Sequence, residues 1–225
     1  MSTAVGKGST LIDPTFLFDF SVAMKRAPLK WGKTGVRLDE SYRIPAFGTL
    51  AGRPHYADLR MGWNENGIGF RVEVVGKAQM PWCREARVEE SDGLHLYIDT
   101  RNSPGIHRAN RYCHQFAFLP IGASVKRDQP VARMLNIHRA RELPTPVDTD
   151  SLQVYSNLKK HGYEMSGLIP TKGLTGFDPS EYPRISMWYA IVDREIGWQT
   201  LSLGPEYPCQ EDPTLWATVE LARDK

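Results

Sequence analysis

The chain has 225 residues, 41% of them apolar and 24% charged, which excludes a disordered polyelectrolyte and is ample for one hydrophobic core. Twenty-eight Lys and Arg stand against 26 Asp and Glu, leaving a formal charge of +2. That is too weak a field to gather phosphates, so nucleic acid is not an expected partner.

Residues 1–14 hold Gly, Ser, Thr and a single Lys, with no apolar run of leader length, and are expected to form a flexible start. No later stretch approaches a membrane span. The expected setting is soluble and cytoplasmic, without a membrane partner. From residue 16 onward, turn signals recur about every ten residues, with alternating apolar segments between them. The segment 16–22 alternates. Next, 56–63 and 67–76 are two strands around Asn64, Glu65, Asn66 and Gly67, whose Asn-Gly pair suits the positive φ of a hairpin turn. In 67–76, Ile68, Phe70, Val72 and Val74 form one buried face. In 94–99, Leu94, Leu96 and Ile98 alternate with His95, Tyr97 and Asp99, so polar groups fall on one face only.

Further strands are predicted at 111–119, 133–140, 152–159, 163–169, 184–192, 199–203 and 215–221. Lys159, Lys160, His161 and Gly162 make a polar turn, and 171–177, framed by Pro170, Gly173 and Gly176, has room only for a short helical turn. No amphipathic helix of ten residues separates any two strands, which removes the parallel α/β folds. The expected architecture is all-β: an antiparallel sandwich with short helical turns only, formed by residues 15–225 as one domain.

Catalytic motifs are missing: no G-x-S-x-G, H-E-x-x-H, P-loop or Rossmann fingerprint. The protein is therefore not expected to be an enzyme. Glu89 with Glu90 and Glu211 with Asp212 are adjacent carboxylates that a solvated turn explains, and Arg133, His138, Arg139 and Arg141 fit a solvated strand edge. Cys83, Cys113 and Cys209 are an odd set without C-x-x-C spacing, which suits a reducing compartment. His107, Cys113 and His114 match no zinc spacing, and no metal is expected there.

Four blocks, in order, resemble the family 9 carbohydrate-binding modules, a sandwich group related to the DOMON sugar- and haem-binding domains: 57–70 (ADLRMGWNENGIGF), 91–99 (SDGLHLYID), 162–170 (GYEMSGLIP) and 212–221 (DPTLWATVEL). The resemblance implies a non-catalytic module that binds a carbohydrate or small polyol at one end or on a concave face, with no cofactor. Structural calcium is common in the family, and no ligand run here places it.

It further implies two Trp side chains that clamp a sugar ring, one just upstream of the strand ending in Asp and one just before the last block. An aromatic plane stacks on the apolar C–H face of a pyranose, and carboxylates, amides and Arg read its hydroxyls. Trp82 is the counterpart of the first, about ten residues from Asp92, and Gln210 stands where the second would fall, with Tyr207 nearby as a substitute. His95 replaces a Glu of the polar face, and the strand at 111–119 lacks the family's mid-strand Arg. The resulting candidate site is Trp82 as platform, His95, Asp99, Arg101 and Asn102 as hydrogen-bonding readers, His114 on the neighbouring strand, and Tyr207 with Gln210 closing the other side. Asp99, Arg101 and Asn102 equally suit a turn tied to its own backbone, and His95 and His114 could face the same way. The alternative is an interaction or scaffold domain of the same fold that has lost sugar binding.

Overall fold

Alternation of period two becomes two facing sheets. A computed structural model of the protein describes residues 14–223, so the expectation for residues 1–14 falls, Pro14 apart, outside the described residues. Among these are β1 (Ser21–Lys25), β2 (Ala57–Asn64), β3 (Gly67–Val75), β4 (Gly93–Asp99), β5 (Cys113–Ala123), β6 (Gln129–Leu135), β7 (Gln153–Lys159), β8 (Gly162–Pro170), β9 (Arg184–Asp193), β10 (Gly197–Thr200) and β11 (Ala217–Ala222); the only helical pieces are short 3-10 turns. The larger sheet has seven strands in the order β1-β11-β9-β4-β5-β6, with β10 also on β9; the smaller has four, β2-β3-β8-β7. All pairings are antiparallel except β1 with β11, which run parallel.

The β2–β3 turn forms as its residues dictate. Asn64 Oδ1 accepts from the Asn66 backbone at 2.8 Å, and Gly67 takes φ 142°, where a Cβ would lie 2.0 Å from the Ile169 carbonyl oxygen. Only glycine fits there. Between the layers, Leu94, Leu96, Ile98, Phe116, Phe118, Met187, Tyr189 and Ile191 meet Met61, Ile68, Phe70, Val72, Tyr163 and Met165 in one core. Phe70 and Phe118, from opposite sheets, touch edge to face at 4.6 Å between ring centres.

The strand ends differ from expectation where a partner, not local pattern, sets them. Residues 14–17 make a 3-10 turn, and pairing with β11 begins only at Ser21. The strand expected at 133–140 lies at Gln129–Leu135: its last pair is Leu135 with Gln115, after which the chain leaves the sheet. Pro213 opens a 3-10 turn capped by the Asp212 carboxylate, delaying β11 to Ala217.

β4 is buried on both faces. Its outer, more polar face is covered by chain. Over one half lies the 3-10 segment Glu85–Glu90, with Cys83, Val88, Ala117, Leu119 and Val131 forming a second apolar cluster beneath it. Over the other half lie Gln210 and Glu211, from the loop before the 3-10 turn at Pro213–Leu215, and Trp216, just after it, packed on Tyr97.

Candidate functional site

Across the outer face of the larger sheet, register sets Trp188, Tyr97, Gln115 and Leu135 in one row, on β9, β4, β5 and β6. Tyr97 packs against Trp188 at 5.3 Å and against Trp216 at 5.9 Å between ring centres. The two indoles are buried and use their N–H groups as anchors. Trp188 Nε1 donates to the Leu203 carbonyl at 3.0 Å and Trp216 Nε1 to the Cys209 carbonyl at 2.7 Å. This fixes the loop that carries Gln210 and Glu211 above the row, since a buried indole N–H must find an acceptor.

Meeting that loop through His138 and Glu211, the chain leaves β6 and turns at Asn136, Ile137, His138 and Arg139. With Glu89 at the edge, these walls enclose a hollow of about 530 Å³ whose floor is Tyr97 and Gln115. The lining is amide, carboxylate, guanidinium, imidazole and phenol, with Ile137 the single aliphatic contributor. Tyr97 is only 2% exposed, and its ring is turned into the aromatic cluster, so no bare aromatic face is offered. Burial, reinforced by the Glu89 charge, holds its phenol well above the ordinary range, while Gln115 at its hydroxyl acts in the other sense. It is a neutral hydroxyl at any physiological pH.

The far wall is braced by two imidazole–carboxylate contacts. His138 Nδ1 lies 2.9 Å from Glu211 Oε1, with Arg139 Nη1 at 3.9 Å from Glu211 Oε2. His107 Nδ1 lies 2.9 Å from Asp212 Oδ2. Burial works to raise Asp212, but bonds from Thr214 and His107 outweigh it and hold the carboxyl below its ordinary range. The carboxylate of Glu89 makes no hydrogen bond or ion pair with a described residue.

The structure distributes the sequence-derived candidates among several places. Gln210 lines the hollow. Trp82 does not: its ring is flanked by the guanidinium groups of Arg194 at 4.3 Å and Arg84 at 5.4 Å, and its backbone N–H donates to Asp92 at 3.0 Å. That is the start of β4. Arg101 belongs to the other end, where its N–H donates to Asp99 at 3.0 Å; seven residues of strand put the two about 23 Å apart. There Asp99 closes its own turn by also accepting from the Ser103 backbone at 2.6 Å. Arg101 lies over the Tyr182 ring at 3.5 Å and the Tyr112 ring at 5.1 Å. Asn102, at φ 46°, accepts from Ser186 at 2.6 Å. Tyr207 is stacked on Phe16 at 5.5 Å.

His95 and His114, expected to be able to face the same way, point to opposite sides of the sheet: His95 pairs with Ala117 and shares the outer face with Tyr97, whereas His114 pairs with Ile98 and stacks on Phe116 within the core. His95 Nε2 faces the Ser91 carbonyl at 3.3 Å and must donate to it. His114 Nε2 accepts from the Thr175 N–H at 2.8 Å, so its proton is on Nδ1, toward the Ile98 carbonyl at 3.4 Å. Burial lowers both imidazoles to about 4.

No group of three or more His, Cys, Asp or Glu able to hold a metal ion occurs among the described residues. The carboxylates of Asp92, Asp193 and Glu195 do converge, but on the Lys77 ammonium, with Asp193 closest, Asp92 at 3.3 Å and Glu195 at 3.7 Å. A positive charge already fills the cage, so a calcium ion does not fit there. Burial opposes the ammonium, yet the two aspartates hold Lys77 above its ordinary range.

Sequence reasoning missed most of the lining. Tyr97 and Gln115 carried a signal, as polar residues on the outward phase of strands otherwise apolar. Glu89, His138, Arg139 and Glu211 were visible only as surface charge, because nothing local says that three separate loops meet.

No family model matches the sequence, and neither does any curated protein. The chain is similar to solved structures of a family 9 carbohydrate-binding module from Caldicellulosiruptor kristjanssonii. In complex with glucose that module aligns with TM-score 0.60 at 9% identity, over 92% of this chain and 97% of the other. In complex with cellotriose it aligns with TM-score 0.58 at 10% identity, over 92% and 95%. A Bacteroides uniformis protein aligns with TM-score 0.52 at 11% identity, over 92% of this chain and 100% of its own. The likeness is one of fold: an all-β sandwich of two sheets laid out as in these modules.

Proposed function

We propose that the protein is a non-catalytic binding module for a carbohydrate or small polyol, and that its site is the hollow over Tyr97 and Gln115. The observation that carries this reading is the lining: of nine residues around the hollow, only Ile137 lacks a polar side chain. Converging donors and acceptors in a concave place suit a ligand made mostly of hydroxyls. The fold supports it, because modules of this layout bind glucose and cellotriose. So does Gln210, which stands on the wall at the point where the family resemblance puts a clamping Trp. Upstream of β4, the residue reaching the hollow is Glu89 rather than Trp82.

With Trp82 outside the hollow and Gln210 on its wall, hydrogen bonds replace stacking. A site without a bare aromatic plane should bind weakly, with Kd on the order of millimolar. The test is a titration of labelled protein with glucose, cellotriose and sorbitol, followed by amide chemical shifts. Shifts should centre on Tyr97, Gln115, Gln210 and Asn136, and Gln115→Ala should weaken binding about tenfold, the effect of one buried hydrogen bond. Silence toward all three ligands, or shifts confined to the Trp82 end of β4, would overturn the assignment. The buried ring of Tyr97 also favours a second reading, an interaction domain of the same fold without sugar binding, and that silence is what it requires.

A further inference from the structure

The charges around the hollow do not balance. Glu89 and Glu211 line it as carboxylates against Arg139 as the one guanidinium, and the His138 imidazole is turned to Glu211, away from Glu89. The basic groups are spoken for: His138 and Arg139 both turn to Glu211, at 2.9 and 3.9 Å. Glu89 is left without a partner among the described residues, although its neighbour Glu90 is engaged by Arg87 at 2.9 Å. The charge stands close enough to the floor to act on the Tyr97 phenol. With a whole-chain charge of only +2, the local sign and not a global field decides which ion is favoured at this place.

Resting on the reading of the hollow as a sugar or polyol site, we propose that it takes a hydroxylated ligand bearing an ammonium group, an amino sugar or amino polyol, in preference to a neutral or acidic one. Glu89 would receive the ammonium, and the Tyr97 hydroxyl, Gln115, Asn136 and Gln210 the hydroxyls. An acidic sugar meets a charge of its own sign, with Arg139 already turned to Glu211.

The test is a titration at pH 7 and low salt with glucosamine, glucose and glucuronate, which share a ring and differ in charge. Glucosamine should bind tightest and glucuronate weakest, with glucosamine ahead of glucose by roughly two- to fivefold, the scale of a partly exposed charge pair. The advantage should shrink in 0.5 M salt, since screening acts on such pairs within about a Debye length. Glu89→Gln should bring the glucosamine-to-glucose ratio near one, while Glu90→Gln should leave it in place. Both positions are exposed, so neither substitution threatens folding. Equal affinity for glucose and glucosamine, or a preference that survives Glu89→Gln, overturns the inference and leaves the hollow as a neutral-sugar site. If none of the three sugars binds, the underlying reading fails and takes this one with it.

Discussion

His95 and His114 are buried as neutral bases, each holding its single ring proton against a backbone carbonyl. Unfolded, each would take up a second proton near 6.5; folded, burial delays that to about 4. Between those values the unfolded chain binds more protons, so the contribution of each imidazole is complete above pH 6.5 and is lost as the pH falls toward 4, by roughly 3 kcal/mol per histidine. Ring-proton resonances of the folded protein should accordingly stay flat from pH 7.5 to 5.5, and a midpoint above 6 for either would refute the burial argument. The two residues also illustrate why the site was only partly legible. Sequence marks a histidine on a strand but not the phase of its neighbour, and a register offset of one residue sends two adjacent imidazoles to opposite faces. The family resemblance places Trp82 as a platform; the guanidinium groups that flank it come from positions 84 and 194, and the second of these is remote in sequence. Gln210 was legible because the family resemblance supplied its place.

At the scale of elements, the hairpin at Asn64–Gly67 and the alternation of β3, β4 and β9 were readable, since turn chemistry and side-chain phase are local properties. Strand ends were not. β6 stops at Leu135 because its partner's last pairing residue is Gln115, and the residues released by that stop become a wall of the hollow. The Lys77 cage is likewise non-local: it ties the segment after β3 to the starts and ends of β4 and β9 through Asp92 and Asp193, all three side chains almost wholly buried. Lys77→Met keeps the apolar stem and removes the ammonium, leaving two carboxylates inside the protein without their counter-charge. Urea denaturation should show a loss of about 3–5 kcal/mol, the cost of breaking one side of a buried pair; a change below about 1 kcal/mol would mean that the ammonium is not their counter-charge. Trp216→Phe tests the loop anchor in the same assay. It retains the ring but leaves the Cys209 carbonyl without its donor, so stability should fall by about 1–2 kcal/mol and ligand-induced shifts at Gln210 should weaken; unaltered shifts would show that the loop is held by other contacts.

The two ends of the described chain meet in the only parallel pair among the described strands, β1 with β11, register Ser21 with Thr218 through Lys25 with Ala222. No local signal announces such a pairing, because it joins residues some two hundred positions apart. It also links the layers: after β1 the chain crosses to the smaller sheet, where the Ala27 N–H donates to the Trp63 carbonyl at 2.8 Å and Trp63 Nε1 donates back to the Met24 carbonyl at 2.9 Å. Val22 and Met24 are buried in the shared core. A chain beginning at Ala27 would lose two core side chains, about 1.5–3 kcal/mol each, and leave the Trp63 indole N–H unsatisfied at about 1–3 kcal/mol. Together these losses approach the whole stability of a typical domain, about 5–15 kcal/mol. They also bare the edge of β11, whose Val219 and Leu221 are buried in the intact protein, as a template for pairing with other chains. The shortened protein should therefore lose its cooperative thermal transition and elute as aggregate in gel filtration. A monomer that melts in one step at an unchanged midpoint would show that the sandwich closes without β1 and that the hollow rests on the remaining strands of its sheet.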